Sequence, residues 1–478
     1  MYRIGRRERK FTRRDVIRIG LALGATAVAS ACGAAPTTAP ATQAPAAATQ
    51  PPAPQETAAA TSAQTGAGQA VTIRVMMYMS DAQLAKAQSD LFGPFEKEHP
   101  GLKIDHIVRP GSGVDSMQKL RAMIAGGDPP DIYDEFRGNN GEAGEALDLT
   151  PFLERDKVDL TGVPKGIMDI QKWQNGVYGM PMFAGGQFCL VLNRSLFDAA
   201  GIPYPTSTWN DPKWMWSDFV DVAVKLTKMN GDRYEQFGVS DLGDWILFPF
   251  QMWGSFLVEP GTRKVVCDSP ATIECYQAVV DLAKKQHAMP DISTQQGSAV
   301  WGDADPMLSG KAAISSYGLW SHTLYRQALD EGVNWAFLPY PKGRPEATVH
   351  TECNGGKTPG IVKTARHPNE AWTFIKWEFD NGRLAKFLGR MPATEQGQKE
   401  WAKEFYGAHY DKIRPEVLWE GWKSDPCEEP LYQHPKNEEV TSKVLQPGWD
   451  QVWADKITVK QWLTEAKPKI EEIFAAPA

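Results

Sequence analysis

Three polar segments stand where three predicted strands end, and they carry the side chains best suited to binding chemistry. They are Tyr78-Met79-Ser80, Arg109-Pro110-Gly111 and Asp134-Glu135. Glu135 is a candidate acceptor for two hydroxyl groups, because one carboxylate accepts several hydrogen bonds. The alternative for Glu135 is a surface carboxylate without a ligand. Arg109 suits either a phosphate ligand or a solvated loop, and we favour the loop.

The elements before these segments alternate between strand and helix. The sequence predicts strands over 71–78, 103–108 and 130–136, and helices over 82–98 and 115–124, the first helix broken or ended near Gly93-Pro94. This order implies right-handed crossovers and a mostly parallel sheet. Ligands of such sheets bind beyond the carboxyl ends of the strands, which is where the three polar segments lie.

Signatures of catalysis are missing from the sequence. Asp128, Asp131, Asp134 and Glu135 are close together, but nothing pairs them with a distant acid motif, and no GxSxG, HExxH or triad pattern occurs. The eight histidines are scattered, and the six cysteines form no CxxC or Cys/His cluster. We therefore expect no metal, no cofactor and no enzyme activity, with a secreted glycan-active enzyme as the disfavoured alternative.

The first 70 residues have the pattern of an export signal followed by a tether. Residues 1–18 contain eight Arg or Lys, and a short apolar run follows from Ile17 to Ala31. Residues 12–18 resemble a twin-arginine export motif. Ala29-Ser30-Ala31-Cys32 resembles a lipoprotein cleavage site, although Leu is usual at the place of Ala29. We predict a signal peptide and lipobox over 1–32, lipidation of Cys32, and a disordered Ala/Pro/Thr-rich tether over 33–70.

The remaining chain is long enough for two lobes and is acidic. The whole sequence has a net charge of -7, and removal of residues 1–31 leaves about -13, which argues against nucleic acid as a partner. Five cysteines remain after Cys32, an odd number whose pairing the sequence does not give, namely Cys189, Cys267, Cys275, Cys353 and Cys427.

Four stretches, taken in order, resemble the family 1 extracellular solute-binding proteins of bacterial ABC importers, to which maltodextrin- and glycerol-phosphate-binding proteins belong. The longest begins GVYGMPMFAGGQFCLVLNRSLFDAAGIPYPTSTW at Gly176. The others are KLRAMIAGGDPPDIYDEF, MLSGKAAISSYGLW, and MPATEQGQ together with the terminal VWADKITVKQWLTEAKPKIEEIF. The similarity covers nearly all of 71–478.

This resemblance implies an α/β fold of the type II periplasmic-binding-protein class, with two lobes, a hinge and a central ligand cleft. We expect lobe 1 over 71–182 plus 305–340, and lobe 2 over 187–302 plus 350–478 with the C-terminal helices. The chain is expected to cross between the lobes near 181–187, 301–307 and 339–356.

The resemblance also indicates which residues line the cleft. Aromatic rings pack on the C–H faces of sugars, and this chain has 17 Trp. The expected ligand-binding residues are Tyr78, Glu135, Phe183, Trp245, Trp253, Tyr317, Trp320, Asn354 and Gly355. For each aromatic residue the alternative is a place in the core, which is the commoner fate of Trp.

The implied function is capture of a small ligand, most simply a mono- or oligosaccharide, for the permease subunits of an ABC transporter. The protein is expected to be a monomer on the outer face of the cell membrane, or periplasmic, held by its lipid anchor. A glycerol phosphoester, a polyol or a metal ion remains the alternative ligand, and a phosphoester predicts two or more Arg or Lys in the cleft.

Overall fold

The computed structural model describes residues 70–111, 113–183, 188–242, 252–294, 296–351, 356–421 and 429–476. The predicted signal segment 1–32 and all but the last residue of the predicted tether 33–70 lie outside the described residues. The described chain is an α/β protein built on two sheets, each with its own helices.

The first sheet contains the three strands that the sequence predicts. β1 (Val71–Met77) lies between β2 (Leu102–Val108) and β3 (Ile132–Tyr133), and all three are parallel. An antiparallel edge strand, β11 (Gly360–Ile361), completes the order β11-β3-β1-β2. Ile73, Val75 and Ile132 are fully buried, because helices cover the sheet and a parallel sheet keeps its apolar side chains from water.

The first crossover helix does not end at the predicted break. α1 (Asp81–Ala87) begins at the N-cap Ser80, and helical structure continues through a π-turn (Gln88–Phe92) into α2 (Gly93–Glu98). The backbone N–H of Gly93 donates to Gln88 across the wider π-turn. Pro94 follows directly, and its missing N–H removes one hydrogen bond at the point where the π-turn departs from the α-helical pattern.

The second sheet has five strands in the order β10-β6-β9-β8-β7. Their bounds are β6 (Phe188–Asn193), β7 (Lys228–Asn230), β8 (Arg233–Val239), β9 (Ala312–Gly318) and β10 (Trp335–Leu338). β6 is antiparallel to both β9 and β10, while β8 is parallel to β9. The carboxyl ends of β8, β9 and β10 therefore lie at the same edge as the beginning of β6.

The predicted allocation of residues 305–340 to the first lobe is wrong. Both strands of this segment, β9 and β10, pair with β6 in the second sheet. The predicted crossing near 301–307 is wrong for the same reason, since β8 and β9, on either side of it, are hydrogen-bonded neighbours. The predicted allocation of 350–478 to the second lobe also fails in part, because β11 and the helix after it, α12 (Pro368–Asn381), pack with the first sheet.

The last C-terminal helix packs on a helix of the second lobe. α18 (Val459–Ala475) contacts α9 (Pro270–Lys284), and the rings of Tyr276, Trp449 and Trp462 form one cluster with centroids 4.9–5.2 Å apart. Between α12 and α18 lie α13 (Arg383–Phe387), α14 (Glu395–Tyr406), α15 (Glu416–Glu420), α16 (Asn437–Val440), a π-turn (Thr441–Leu445) and α17 (Gln446–Trp453).

The other helices connect the strands within each lobe. In the first lobe they are α3 (Gly113–Ala125), α4 (Gly138–Glu142), α5 (Thr150–Arg155) and α6 (Lys165–Asp169), with the small hairpin β4 (Lys172–Trp173) and β5 (Gly176–Val177). In the second lobe they are α7 (Arg194–Ala200), α8 (Trp216–Leu226), α10 (Gln296–Trp301) and α11 (His322–Asp330).

Two segments that cross between the sheets run side by side. The N–H of Met180 donates to the carbonyl of Pro359 and that of Met182 to Lys357, both at 3.0 Å. We call residues 180–183 and 356–359 the crossing ribbon. The crossings expected near 181–187 and 339–356 border the ribbon and stay predictions, because residues 184–187 and 352–355 lie outside the description. The chain passes between the lobes again near Pro392, which forms a β-bridge with Phe183.

Cys189, Cys267 and Cys275 are free and buried, while Cys353 and Cys427 lie outside the described residues. Within the described ranges, no helix combines the length and the apolar character needed to cross a membrane.

Candidate ligand-binding site

The carboxyl edge of the first sheet brings the three polar segments together. Met77 and Val108 are paired at the ends of β1 and β2, so the next residues, Tyr78 and Arg109, lie side by side. The N–H of Arg109 donates to the carbonyl of Met77 at 3.2 Å. Asp134 and Glu135 follow β3, on the other side of β1. The parallel arrangement therefore places all of these residues at one edge, as the sequence predicts.

Asp134 connects the groups at this edge. Its side chain is fully buried, and its Oδ2 accepts a hydrogen bond of 2.9 Å from the backbone N–H of Tyr78. Its Oδ1 lies 2.8 Å from Nε of Arg109, and Lys357 forms an ion pair with Oδ2. Asp134 thus fixes one aromatic residue and two cations.

Arg109 is neither a solvated loop residue nor a free cation. It is 4% exposed, and its Nη1 donates to Glu135 Oε2 at 2.9 Å and to the hydroxyl of Ser116 at 3.0 Å. Burial opposes its charge, but Asp134 and Glu135 outweigh that effect and raise the pKa of Arg109. The favoured prediction of a solvated Arg109 is wrong, because both carboxylates draw the guanidinium into the sheet edge.

Tyr78 and Glu135 are the accessible members of this group. Tyr78 is 42% exposed, its ring packs against Gly111, and the charges of Lys357 and Arg109 lie 5.5 and 5.9 Å from its centroid. The side chain of Glu135 is 33% exposed while bonded to Arg109. An aromatic face and a fixed carboxylate are therefore available together.

On the second lobe, Trp320 follows β9 at the edge beside the crossing ribbon. The side chain is 51% exposed, and its ring lies over the backbone of Gly318, where an added Cβ would be 2.4 Å from ring carbons. Gly318 pairs with Phe188, the first residue of β6 after the crossing. The edge of the first lobe also borders the ribbon, through the bridge between Glu135 and Thr358. Both edges thus adjoin the same hinge.

The sequence reasoning missed a polar group at the edge of the second sheet where β8 and β9 end. Asp241 follows β8 and accepts hydrogen bonds from the hydroxyls of Ser240, at 2.6 Å, and Ser316. Ser240 is also 2.6 Å from the hydroxyl of Ser315. The rule that polar residues after a strand end line a ligand edge, applied to Ser240-Asp241, is a signal that could have found this group.

Three predicted ligand-binding aromatics lie in the packed interior. Phe183 is 5% exposed and covers Gly356, while Trp253 is 4% exposed, lies 5.2 Å from the Trp216 ring and donates to Glu274 at 3.2 Å. Tyr317 is 1% exposed and packs on Tyr325 and Phe337. Their environments are those of core and hinge residues. The remaining predicted positions, Trp245, Asn354, Gly355 and Cys32, lie outside the described residues.

Across the described ranges, no group of three or more His, Cys, Asp or Glu has an arrangement that could hold a metal ion. The ionic groups of the first edge, Arg109 and Lys357 with Asp134 and Glu135, balance to zero formal charge. The first edge therefore presents an aromatic ring and hydrogen-bonding groups without net formal charge, while the second edge carries the carboxylate of Asp241.

A family model described as bacterial extracellular solute-binding protein matches residues 79–381, which is more than half of the chain. The chain belongs to this family. Among its curated relatives, a protein of Brucella abortus described as a binding protein is 22% identical over 357 residues, covering 70% of this chain and 80% of the relative. A lactose-binding protein of Rhizobium radiobacter is 20% identical over 220 residues, covering 46% of this chain and 49% of that protein.

Two solved structures of binding proteins have the same fold as this chain. A substrate-binding protein from Listeria monocytogenes in complex with cycloalternan has a TM-score of 0.65 and 20% identity, covering 86% of this chain and all of the other. The sugar-binding protein MalE of Xanthomonas citri has a TM-score of 0.66 and 17% identity, covering 85% of this chain and 98% of the other. These matches confirm the predicted family and the two-lobe type II fold.

Proposed function

We propose that this extracellular solute-binding protein captures a neutral carbohydrate between its two lobes and delivers it to the permease subunits of an ABC transporter. The observation that carries the proposal is the pair of exposed rings, Tyr78 on one sheet edge and Trp320 on the other. Each edge also holds a carboxylate, Glu135 in an ion pair with Arg109 and Asp241 bonded by two serine hydroxyls. Aromatic faces pack on sugar C–H groups, and fixed acceptors bind hydroxyls.

Charge pairing favours a neutral ligand over a phosphoester. Arg109 and Lys357 are both present at the first edge, which is the number of cations that a phosphate ligand predicts. However, Arg109 forms ion pairs with Asp134 and Glu135, and Lys357 forms an ion pair with Asp134. A phosphate placed here would meet two carboxylates as well as two cations, so its net attraction to the site is small.

The carbohydrate assignment also has support from named relatives. The lactose-binding protein and the cycloalternan complex described above are proteins whose names or titles state a carbohydrate ligand.

Isothermal titration calorimetry tests the ligand class. The purified protein is titrated with lactose, malto-oligosaccharides, manno-oligosaccharides, polyols and glycerol phosphates, and thermal shifts are recorded in parallel. We expect at least one neutral saccharide to bind and to raise Tm through preferential binding to the folded state. Binding of a glycerol phosphate, with no response to any saccharide or polyol, would replace the carbohydrate assignment.

We also propose that the protein is held at the outer face of the membrane through lipidated Cys32. The basic start, the apolar run and the Ala29-Ser30-Ala31-Cys32 sequence support this proposal, and the uncharged composition around Glu56 suits a flexible tether. The Cys32→Ser variant should move from the membrane fraction to the soluble fraction without losing ligand binding. Unchanged membrane fractionation of that variant would contradict lipidation at Cys32.

A further inference from the structure

We propose that Lys357, through its ion pair with Asp134, couples the crossing ribbon to the ligand-binding edge of the first lobe. The inference rests on the proposed function, because it assigns a positioning role within the same site. Lys357 belongs to the ribbon by its backbone and to the site by its side chain. Through Lys357, ligand binding at the site can affect the hinge, and the arrangement of the hinge can affect ligand binding.

The backbone of Lys357 is fixed within the ribbon. Its carbonyl accepts the N–H of Met182 at 3.0 Å, from the other crossing segment. The next residue, Thr358, donates its N–H to the carbonyl of Asp134 at 3.0 Å and accepts the N–H of Phe136 at 3.0 Å. Lys357 thus stands where the two crossing segments and the end of β3 are joined by backbone hydrogen bonds.

The side chain of Lys357 reaches the residues that present the ligand groups. It is 9% exposed, and its Nζ pairs with Asp134 and lies 5.5 Å from the ring centroid of Tyr78. Asp134 in turn accepts the backbone N–H of Tyr78 and holds Arg109, and Arg109 holds Glu135. One ion pair therefore connects the ribbon to Tyr78 and Glu135, the two accessible side chains of this edge.

Loss of the ion pair between Lys357 and Asp134 would be electrostatically unfavourable. Without Lys357, Arg109 alone would balance Asp134 and Glu135, and Asp134 is completely buried. A buried carboxylate that loses a partner must recruit a new donor, move toward water or take up a proton. Each of these responses shifts Tyr78 or Arg109, and through Arg109 also Glu135. A change at the ribbon is therefore transmitted to the site.

The coupling affects ligand binding through closure of the lobes. Rotation about the crossings changes backbone dihedral angles in the ribbon, which is where hinge motions concentrate. A ligand favours the closed form only to the extent that it binds that form better than the open one. Because Lys357 moves with the ribbon and holds the site through Asp134, it contributes to that difference in affinity.

The test compares Lys357→Met with Lys363→Met, a matched change at an exposed lysine shortly after β11 on the same segment. Each variant is titrated with the saccharide that the wild type binds, and X-ray scattering is recorded with and without saturating saccharide. We expect Lys357→Met to lose affinity by a factor of about ten or more and to close incompletely at saturation. Lys363→Met should match the wild type, and Lys357→Arg should recover part of the affinity.

A double-mutant cycle separates coupling from a general structural defect. Combining Asp134→Asn with Lys357→Met should weaken binding much less than the product of the two single effects, because both remove the same link. If Lys357→Met does not fold, the neutral pair Asp134→Asn with Lys357→Gln, assayed in the same way, decides the question. Wild-type affinity and wild-type closure in a folded variant without the ion pair would overturn the coupling role. Failure of the wild type itself to bind any saccharide would overturn the proposed function instead.

Discussion

At the scale of single residues, the exposure of Trp320 depends on the glycine two positions before it. The indole lies over Gly318, where a Cβ would come within 2.4 Å of the Cη2 and Cζ2 atoms. Gly318 is buried and has an extended backbone, so it is required here for space rather than for a special dihedral angle. The Trp320 side chain is 51% exposed, so a ligand can contact it.

Replacement of Gly318 with Ala should therefore act on ligand binding through Trp320. The added methyl group must displace the ring, and we expect a loss of saccharide affinity of roughly tenfold, similar to that of Trp320→Ala, since the contribution of an aromatic contact is about 0.5–1.5 kcal/mol beyond its area. Calorimetry measures the affinity, and circular dichroism checks the fold. Unchanged affinity in folded Trp320→Ala would exclude the ring as a ligand platform.

Glu378 gives stability a dependence on pH outside the site. The residue is 2% exposed on α12, and burial raises the pKa of its carboxyl from 4.5 to about 8, although the N–H of Leu384 and the charge of Arg383 offset part of the effect. The folded protein therefore holds a proton that the unfolded chain releases above pH 4.5. The contribution of Glu378 to stability consequently declines between pH 4.5 and 8.

The Glu378→Gln variant should remove this decline. At pH 8 we expect it to be more stable than the wild type by an amount on the order of 3 kcal/mol, and at pH 4 the two proteins should be nearly equal. Urea unfolding at both pH values measures the difference in the free energy of unfolding. An equal difference at both values would assign the effect to packing rather than to the proton.

The sequence located the polar residues of the first edge better than it distinguished surface from core aromatics. The common edge of Tyr78, Arg109 and Glu135 was predictable because strand ends are local features of the chain, but the burial of Arg109 was not. Trp320 and Tyr317 are three residues apart, yet one is 51% exposed and the other 1% exposed. The difference arises because Tyr317 points into a core made by β10 and α11, and contacts that are distant in sequence are not encoded in a local pattern.

At the scale of elements, the crossing ribbon is held together by Phe183 and Gly356. Gly356 has a φ of 61°, and an added Cβ would lie 2.3 Å from Cε2 of Phe183. The backbone of Phe183 also forms the β-bridge to Pro392, so this one residue links all three places where the chain crosses. The sequence indicated Phe183 as a ligand residue, and its surroundings instead support a role in joining the hinge segments.

Substitution of Gly356 by Ala should cost more than the same change at Gly310. Gly310 also has a positive φ, of 71°, but nothing lies within 4 Å of an added Cβ there. Gly310→Ala thus measures the backbone cost alone, about 1 kcal/mol, and the clash with Phe183 should add roughly 1–3 kcal/mol at Gly356. Chemical denaturation provides both values, and equal destabilisation of the two variants would show that Phe183 does not restrain the ribbon.

At the scale of the whole molecule, the fold class was predictable and the division into lobes was not. The alternation of strands and helices over 71–136 is a local pattern, so it gave the first sheet and the place of its ligand edge. The place of β9 and β10 depends on their pairing with β6, more than 100 residues earlier in the chain. No periodicity within 305–340 identifies that partner.

With the lobes divided in this way, ligand-induced closure tests the arrangement of both sheets together. All five strands of the second sheet lie between Phe188 and Leu338, and the chain then returns through the ribbon to β11 in the first sheet. A ligand that contacts Tyr78 and Glu135 on the first lobe and Trp320 on the second makes both sets of contacts only when the lobes are close together.

Saturating saccharide should therefore reduce the radius of gyration measured by X-ray scattering. A shift of the open-to-closed ratio from 1:99 to 99:1 requires about 5.5 kcal/mol of differential affinity, and contacts on both lobes are the source of that difference. Trp320→Ala, which keeps the contacts of the first lobe, should bind more weakly and close less at equal saturation. If calorimetry confirms a bound saccharide while the scattering curve stays the same, the ligand occupies one lobe alone, and Trp320 has no part in holding it.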